Sequence, residues 1–158
     1  MTIQLNLPRA IFKAISLAAA ATAIVLTSGC ATPTGAAFTT ASALPDGQAQ
    51  VYLYRKSSLY ASGQSFSVQL DKKDVGELFN GSHMPLQMAA GEHLLSVKPG
   101  AFGKTYEVNL KLTDKQTQYF EFELPPFILG NAFHLGSSIT PRTPAQGVAD
   151  MQGLKAVK

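Results

Sequence analysis

The chain has 158 residues, 46% of them hydrophobic and 15% charged, with 13 Gly, 9 Pro and one Cys. That length accommodates one ordinary domain with a tail rather than a multidomain enzyme, and the apolar content argues against wholesale disorder. A single cysteine excludes an internal disulfide framework and any cysteine-based zinc cluster. The formal net charge is +3, but Arg9 and Lys13 are the only charges before Asp46. From Cys30 onward eleven Lys+Arg remain against ten Asp+Glu, too balanced for the basic footprint of a nucleic-acid binder.

Residues 1–29 have the layout of a secretory signal: a positive start, then the weakly polar run Ala14 to Leu26. As a helix this run reaches roughly 20 Å, short of a hydrocarbon core of about 30 Å, so a permanent transmembrane helix is the weaker reading. Leu26-Thr27-Ser28-Gly29-Cys30 follows directly. The segment resembles a bacterial lipobox, with Thr27 where Leu is commonest. The resemblance implies that Cys30 is acylated and becomes the mature N-terminus. An ordinary signal peptide cut nearby, or a short anchor, is the alternative; the position of the sole cysteine favours lipidation. One acyl chain binds a membrane marginally, whereas two or three on one residue make detachment negligible.

Residues 30–48 comprise the lipidated cysteine and a Thr-, Ala-, Gly- and Pro-rich tether, whose eighteen residues after Cys30 would span roughly 21–25 Å as a random coil. Ala31 after the cysteine, rather than Asp, points to outer-membrane sorting in a Gram-negative host. Residues 49–136 read as short extended runs. Gln50–Arg55 is apolar on both faces, as a central strand requires. Phe66, Val68 and Leu70 share a face, Asp71–Asp74 is a polar turn, and a bulge at Gly76 would return Leu78 to the face of Val68. Asn80-Gly81 turns the chain. His83–Met88 and His93–Lys98 are expected to pair through Ala89–Glu92, with Met88 opposite His93. Pro99–Gly103 is expected to be a flexible hairpin loop. Tyr106, Val108, Leu110 and Leu112 alternate, as do Phe120, Phe122 and Leu124, so a hairpin through Thr113–Thr117 would set Leu110 opposite Phe120 and Glu107 opposite Glu123. Seven short strands without helical periodicity predict an all-β, antiparallel sandwich with Phe66, Val68, Phe120 and Phe122 between its sheets. In the tail, 137–158, Thr143 as N-cap, Pro144 in the first turn and Val148, Met151 and Leu154 on one side predict a short helix, which Gly147 and Gly153 weaken.

The strand VYLYR, the segments Val68-Gln69-Leu70-Asp71 and Val75-Gly76-Glu77-Leu78, and the turn Ala90-Gly91-Glu92-His93 are similar to an uncharacterised bacterial lipoprotein family defined by a domain of unknown function. The likeness spans residues 48–124, and the domain also looks like the small PEGA-type sandwiches found as extracytoplasmic accessory modules. Neither resemblance implies a reaction.

The side-chain chemistry points the same way. If Met88 pairs with His93, His83 and His93 would sit roughly 16 Å apart at 3.3 Å per residue, and zinc needs ligands at about 2 Å. His134 stands alone, and Ser137 and Ser138 lack an elbow and an orienting acid. Asp71 and Asp74 are turn formers. No catalytic residue, metal ligand or cofactor is therefore expected. Tyr52, Tyr54 and Tyr60, near Arg55 and Lys56, could stack on cell-wall sugars or peptide stems, but packing of Tyr52 and Tyr54 on the second face of a central strand explains them better. Phe127, Ile128, Leu129 and Phe133 form the candidate interaction surface, for a partner or the membrane interface, with closure of the sandwich end as the equal alternative. The expectation is a non-enzymatic envelope lipoprotein whose partners are the bilayer, through Cys30, and an envelope protein or the cell wall. A periplasmic enzyme or small-ligand carrier with a loop-built site is the alternative.

Overall fold

The computed structural model describes residues 33–39, 43–98, 104–125 and 136–157. The described strands are β1 (Gln48–Arg55), β2 (Phe66–Leu70), β3 (Lys73–Leu78), β4 (Ser82–Ala89), β5 (Gly91–Lys98), β6 (Tyr106–Leu112), β7 (Thr117–Glu123), β8 (Ser138–Arg142) and β9 (Lys155–Ala156), with one helix, α1 (Pro144–Met151), between the last two. They form a five-stranded sheet in the order β8-β7-β1-β4-β9 and a four-stranded sheet in the order β3-β2-β5-β6. The fold is the expected all-β sandwich. Its four-stranded sheet is antiparallel throughout, whereas β1–β7 and β4–β9 pair in parallel.

The core lies between the sheets. Val51, Leu53, Met84, Leu86, Phe120 and Phe122 from one sheet meet Phe66, Val68, Leu78, Leu95, Val97 and Leu110 from the other. Phe66 and Phe122 stand edge to face at 5.0 Å, a geometry that adds to their burial. In β2–β3, Asp71 and Lys72 both take positive φ, 51° and 66°, as a two-residue hairpin turn demands. Val68 then pairs with Gly76 while Gln69 pairs with Asp74. Val75 is therefore the extra residue of a bulge, and Leu78 returns to the core beside Val68.

The two expected hairpins are instead arches that cross between sheets. β4 pairs with β1 and β9 while β5 pairs with β2 and β6, so Met88 faces Ala49, not His93, and His83 faces Tyr54. Gly91, at φ 146°, permits the sharp crossing after a single linking residue. Likewise β6 pairs with β5 and β7 with β1, so Glu107 lies opposite Ser96 and never meets Glu123. Gln50 donates its amide to Gln116 and Lys115 donates to Gln48, which ties this arch to the start of β1. The alternation within each strand is as read; the apolar faces coincide across the layers rather than along one sheet. Side-chain period alone cannot distinguish the two arrangements, because both bury the same faces.

Residues expected as tail and tether join the fold. β8 extends the five-stranded sheet beside β7, β9 extends it beside β4, and α1 packs on β7. Thr143 caps α1 in a reciprocal capping box with Gln146, and Pro144 opens the first turn, where its missing N–H costs nothing. Gly147 explains itself by contact, since a Cβ there would lie 2.4 Å from the Tyr119 ring. Intrinsic propensity would make Gly147→Ala stabilising by up to about 1 kcal/mol, but the overlap outweighs it. We expect Gly147→Ala to lower stability by about 1–3 kcal/mol, measured as a reduced urea midpoint at unchanged slope.

Candidate functional site

The outer face of the five-stranded sheet carries most of the polar chemistry. Period two along β1 sends Val51 and Leu53 into the core and Tyr52 and Tyr54 outward, where they are buried by a second cluster with Tyr119, Met151 and Leu154. Tyr52 and Tyr119 stack at 5.5 Å with their planes 10° apart. These tyrosines therefore pack on the second face of a central strand and present no open platform for a sugar.

An ionic network borders that cluster. Tyr54 donates its hydroxyl to Asp150 at 2.8 Å. Lys56 bridges Asp150 at 3.0 Å and Glu121 at 3.3 Å. Arg142 donates to Glu121 from Nε at 3.0 Å and also pairs with Glu123, which accepts from Thr140 at 2.7 Å. Burial and the Asp150 carboxylate raise the Tyr54 phenol well above its ordinary range, which keeps it protonated. Burial alone would raise Asp150, but the Tyr54 hydroxyl and Lys56 hold it below its ordinary value. The network joins β1, β7, β8 and α1, with each charge paired to a neighbour.

Arg55 at the end of β1 is only 2% exposed. Its guanidinium donates to the carbonyls of Gln64 at 2.8 Å and Ala61 at 2.6 Å and lies 4.9 Å from the centre of the Phe66 ring. Burial lowers its pKa to about 10, which leaves it charged at neutral pH. Arg55 thereby holds the 56–65 loop closed. Beside it opens a cleft of about 540 Å³ lined by Arg55, Lys56, Tyr60, Glu121, Glu123 and Ser138, among others.

The histidines occupy unrelated places. His83 is 5% exposed, against Tyr52 and Phe38, with no partner at hydrogen-bond geometry for either ring nitrogen. Burial lowers its pKa, and the nearby Ala36 backbone opposes that shift without forming a well-directed bond. His93 sits at the start of β5 with Nδ1 2.8 Å from Asp71 and Nε2 3.0 Å from the Ala89 carbonyl. Among the described residues, no group of three or more His, Cys, Asp or Glu side chains is placed to hold a metal ion. Cys30, the apolar segment Phe127, Ile128, Leu129 and Phe133, and His134 lie outside the described residues. Sequence reasoning missed the burial of Arg55 and the Glu121–Arg142–Lys56–Asp150 network. The one available signal was an acidic residue, Glu121, alternating with Tyr119 on the outer face of a strand flanked by aromatics.

Both the carboxylate and the carbonyl beside His93 accept, so the imidazolium form satisfies both contacts and the neutral ring only one. The Asp71 pair raises the His93 pKa, and His93 together with the Leu94 amide lowers that of Asp71. The pair therefore contributes most between the unfolded Asp and His values, about pH 4 to 6.5, and is lost as pH rises through the raised His93 pKa. Asp71 is half exposed, so the contribution is modest. We expect Asp71→Asn to lose part of the fall in melting temperature that the parent shows between pH 6 and 8; an identical fall in both proteins would contradict the pairing.

The fold and site thus define a β-sandwich domain with an outer layer of aromatic and ionic contacts. The chain belongs to the family described as protein of unknown function, DUF2846, whose model matches residues 45–126. The match runs from just before β1 to just after β7, so β8, α1 and β9 lie beyond it. No curated protein and no solved structure matches the chain.

Proposed function

We propose that this protein is a bacterial envelope lipoprotein, acylated at Cys30 and held at the outer membrane facing the periplasm, where the sandwich acts as a non-enzymatic binding or structural module of PEGA-like appearance. The observation that carries the reading is the position of the sole cysteine, directly after a short apolar run and small residues at Leu26–Cys30. Two or three acyl chains on one residue give an attachment that needs no membrane-spanning helix. Among the described residues no helix is long and apolar enough to cross a membrane. The paired charges of the outer face support a structural rather than a chemical role for that surface. The partner surface we assign is Phe127, Ile128, Leu129 and Phe133, facing an envelope protein, the cell wall or the membrane interface.

A small-ligand carrier or periplasmic enzyme is the second reading, and the cleft beside Arg55 is what favours it. Crosslinking in intact cells separates the two. The module reading expects a captured envelope protein or peptidoglycan; recovery of lipid alone, with a small molecule retained or turned over by the purified protein, would favour the carrier. For the anchor itself, labelled palmitate is expected on the parent chain and absent from Cys30→Ser, which should also leave the membrane fraction. A parent that takes up no label, or a Cys30→Ser chain that matures normally and stays membrane-bound, would refute lipid anchorage.

A further inference from the structure

The part of the expected tether that the structure describes is docked. Gly35 donates to Ala156 at 3.0 Å, Ala156 donates back to Ala36 at 2.8 Å, and Phe38 donates to Leu154 at 3.1 Å. Residues 33–39 thereby run along the outer edge of β9, with Ala37 bridging Lys155 in antiparallel sense. Such a segment shields the backbone groups that an edge strand otherwise exposes. Two side-chain features make the seat specific. A Cβ at Gly35 would lie 2.3 Å from the Ala156 carbonyl oxygen, so only glycine fits. Phe38 meets Tyr52 edge-on at 5.4 Å and His83 edge-on at 5.6 Å, and so lies against a buried imidazole with no partner at hydrogen-bond geometry, on which burial outweighs the opposing effect of the strap's own Ala36 backbone.

We propose that residues 33–39 are a releasable strap, seated while His83 is neutral and freed when His83 takes up a proton. A buried ring can stay neutral at modest cost, whereas an imidazolium between Phe38 and Tyr52 would be a desolvated charge without a counter-ion. The other charged or titratable groups on the elements around it are Tyr52 and Tyr54 on β1, Lys155 on β9 and, beyond Tyr54, Asp150 on α1, which is already taken by Tyr54 and Lys56. None of them forms an ion pair with His83 among the described residues. Releasing the strap hydrates the ring and removes the penalty. Because burial depresses the docked value, the strap's hold is complete above the ordinary histidine pKa of about 6.5 and weakens as pH falls below it. The strap also deepens the anchor reading, and this consequence rests on it. With the strap seated, the covalent path from Cys30 to the first docked residue, Gly35, is at most about 17 Å, whereas release extends it severalfold.

Hydrogen exchange of the full-length, detergent-extracted chain, corrected for intrinsic rates, tests the strap. Protection of peptides covering 33–39 should fall several-fold between pH 7.5 and 5, and by no more than about 30-fold, the limit for one proton taken up on release by an imidazole of pKa near 6.5. Protection of β1 and β7 should hold. His83→Phe keeps the aromatic contact and should abolish the pH dependence, and Gly35→Val should leave 33–39 unprotected at every pH. A separate readout covers the case in which His83→Phe does not fold: the His83 ring should titrate lower in the parent than in Gly35→Val, followed by its NMR shifts. Equal protection of 33–39 at both pH values, none at either, or an unchanged His83 titration in Gly35→Val would overturn the proposal. Palmitate labelling is scored on the same preparations, so a strap that fails while the label is present refutes the strap alone, and missing label refutes the anchor alone.

Discussion

From Val51 to Arg55, β1 has no solvent face. Its inward residues Ala49, Val51 and Leu53 and its outward residues Tyr52 and Tyr54 are all buried, and the rest of the architecture follows from that requirement. A strand buried on one side needs only a second sheet; one buried on both sides needs a third layer. The four-stranded sheet supplies the first cover. Met151 at the end of helix α1 and Leu154 just after it supply the second, and Phe38 completes it at the β9 edge. The strand's neighbours also explain the crossing connections. β4 lies antiparallel on one side of β1 and β7 parallel on the other, and a parallel neighbour cannot be reached by a tight hairpin and requires a longer path. That path is the excursion through β5 and β6 in the opposite sheet.

Polar groups enter the outer layer only where this cover leaves them partners. Tyr54 brings a hydroxyl beneath the helix and finds Asp150; Asp150 and Glu121 bring charge and share Lys56; Arg142 closes the series on Glu121 and Glu123. Glu121 is the buried member, and loss of its cationic partners would leave a desolvated carboxylate, whereas Lys56 and Glu123 keep much of their contact with water. Arg55, on the inward face at the end of β1, is held by backbone carbonyls through its terminal nitrogens, while its Nε is buried without a partner. In the outer layer His83 is the exception: its nitrogens are buried without partners, and its place under Phe38 is where the outer layer is least secured. His93, at the inter-sheet crossing, has the opposite character, gaining contacts when it is charged. The two imidazoles therefore pull the protein's stability in opposite directions as pH changes.

The strands were legible because their signals are local. Alternation in Phe66–Leu70, Tyr106–Leu112 and Phe120–Leu124, the double-sided apolarity of Gln50–Arg55, the bulge at Gly76 and the Thr143–Pro144 helix start each depend on side-chain direction or backbone conformation within a few residues. Strand partners were not legible, because the same inward faces serve a hairpin or an arch equally. The outer layer was obscured by composition. Gly35 and Phe38 sit in a stretch of small residues that reads as a linker, and the contacts that fix them come from residues 154–156, more than a hundred positions away. The ionic network was missed for the same reason, since Glu121 and Asp150 acquire meaning only once α1 is placed against β7.

The most direct test of a β1 covered on both faces is Met151, which is fully buried in the outer cluster yet lies in a stretch that sequence alone assigns to a tail. Urea unfolding of Met151→Ala should show a loss of about 2–5 kcal/mol, as for other large core truncations. A variant within about 0.5 kcal/mol of the parent, as a substitution on an unattached tail would be, would contradict the account.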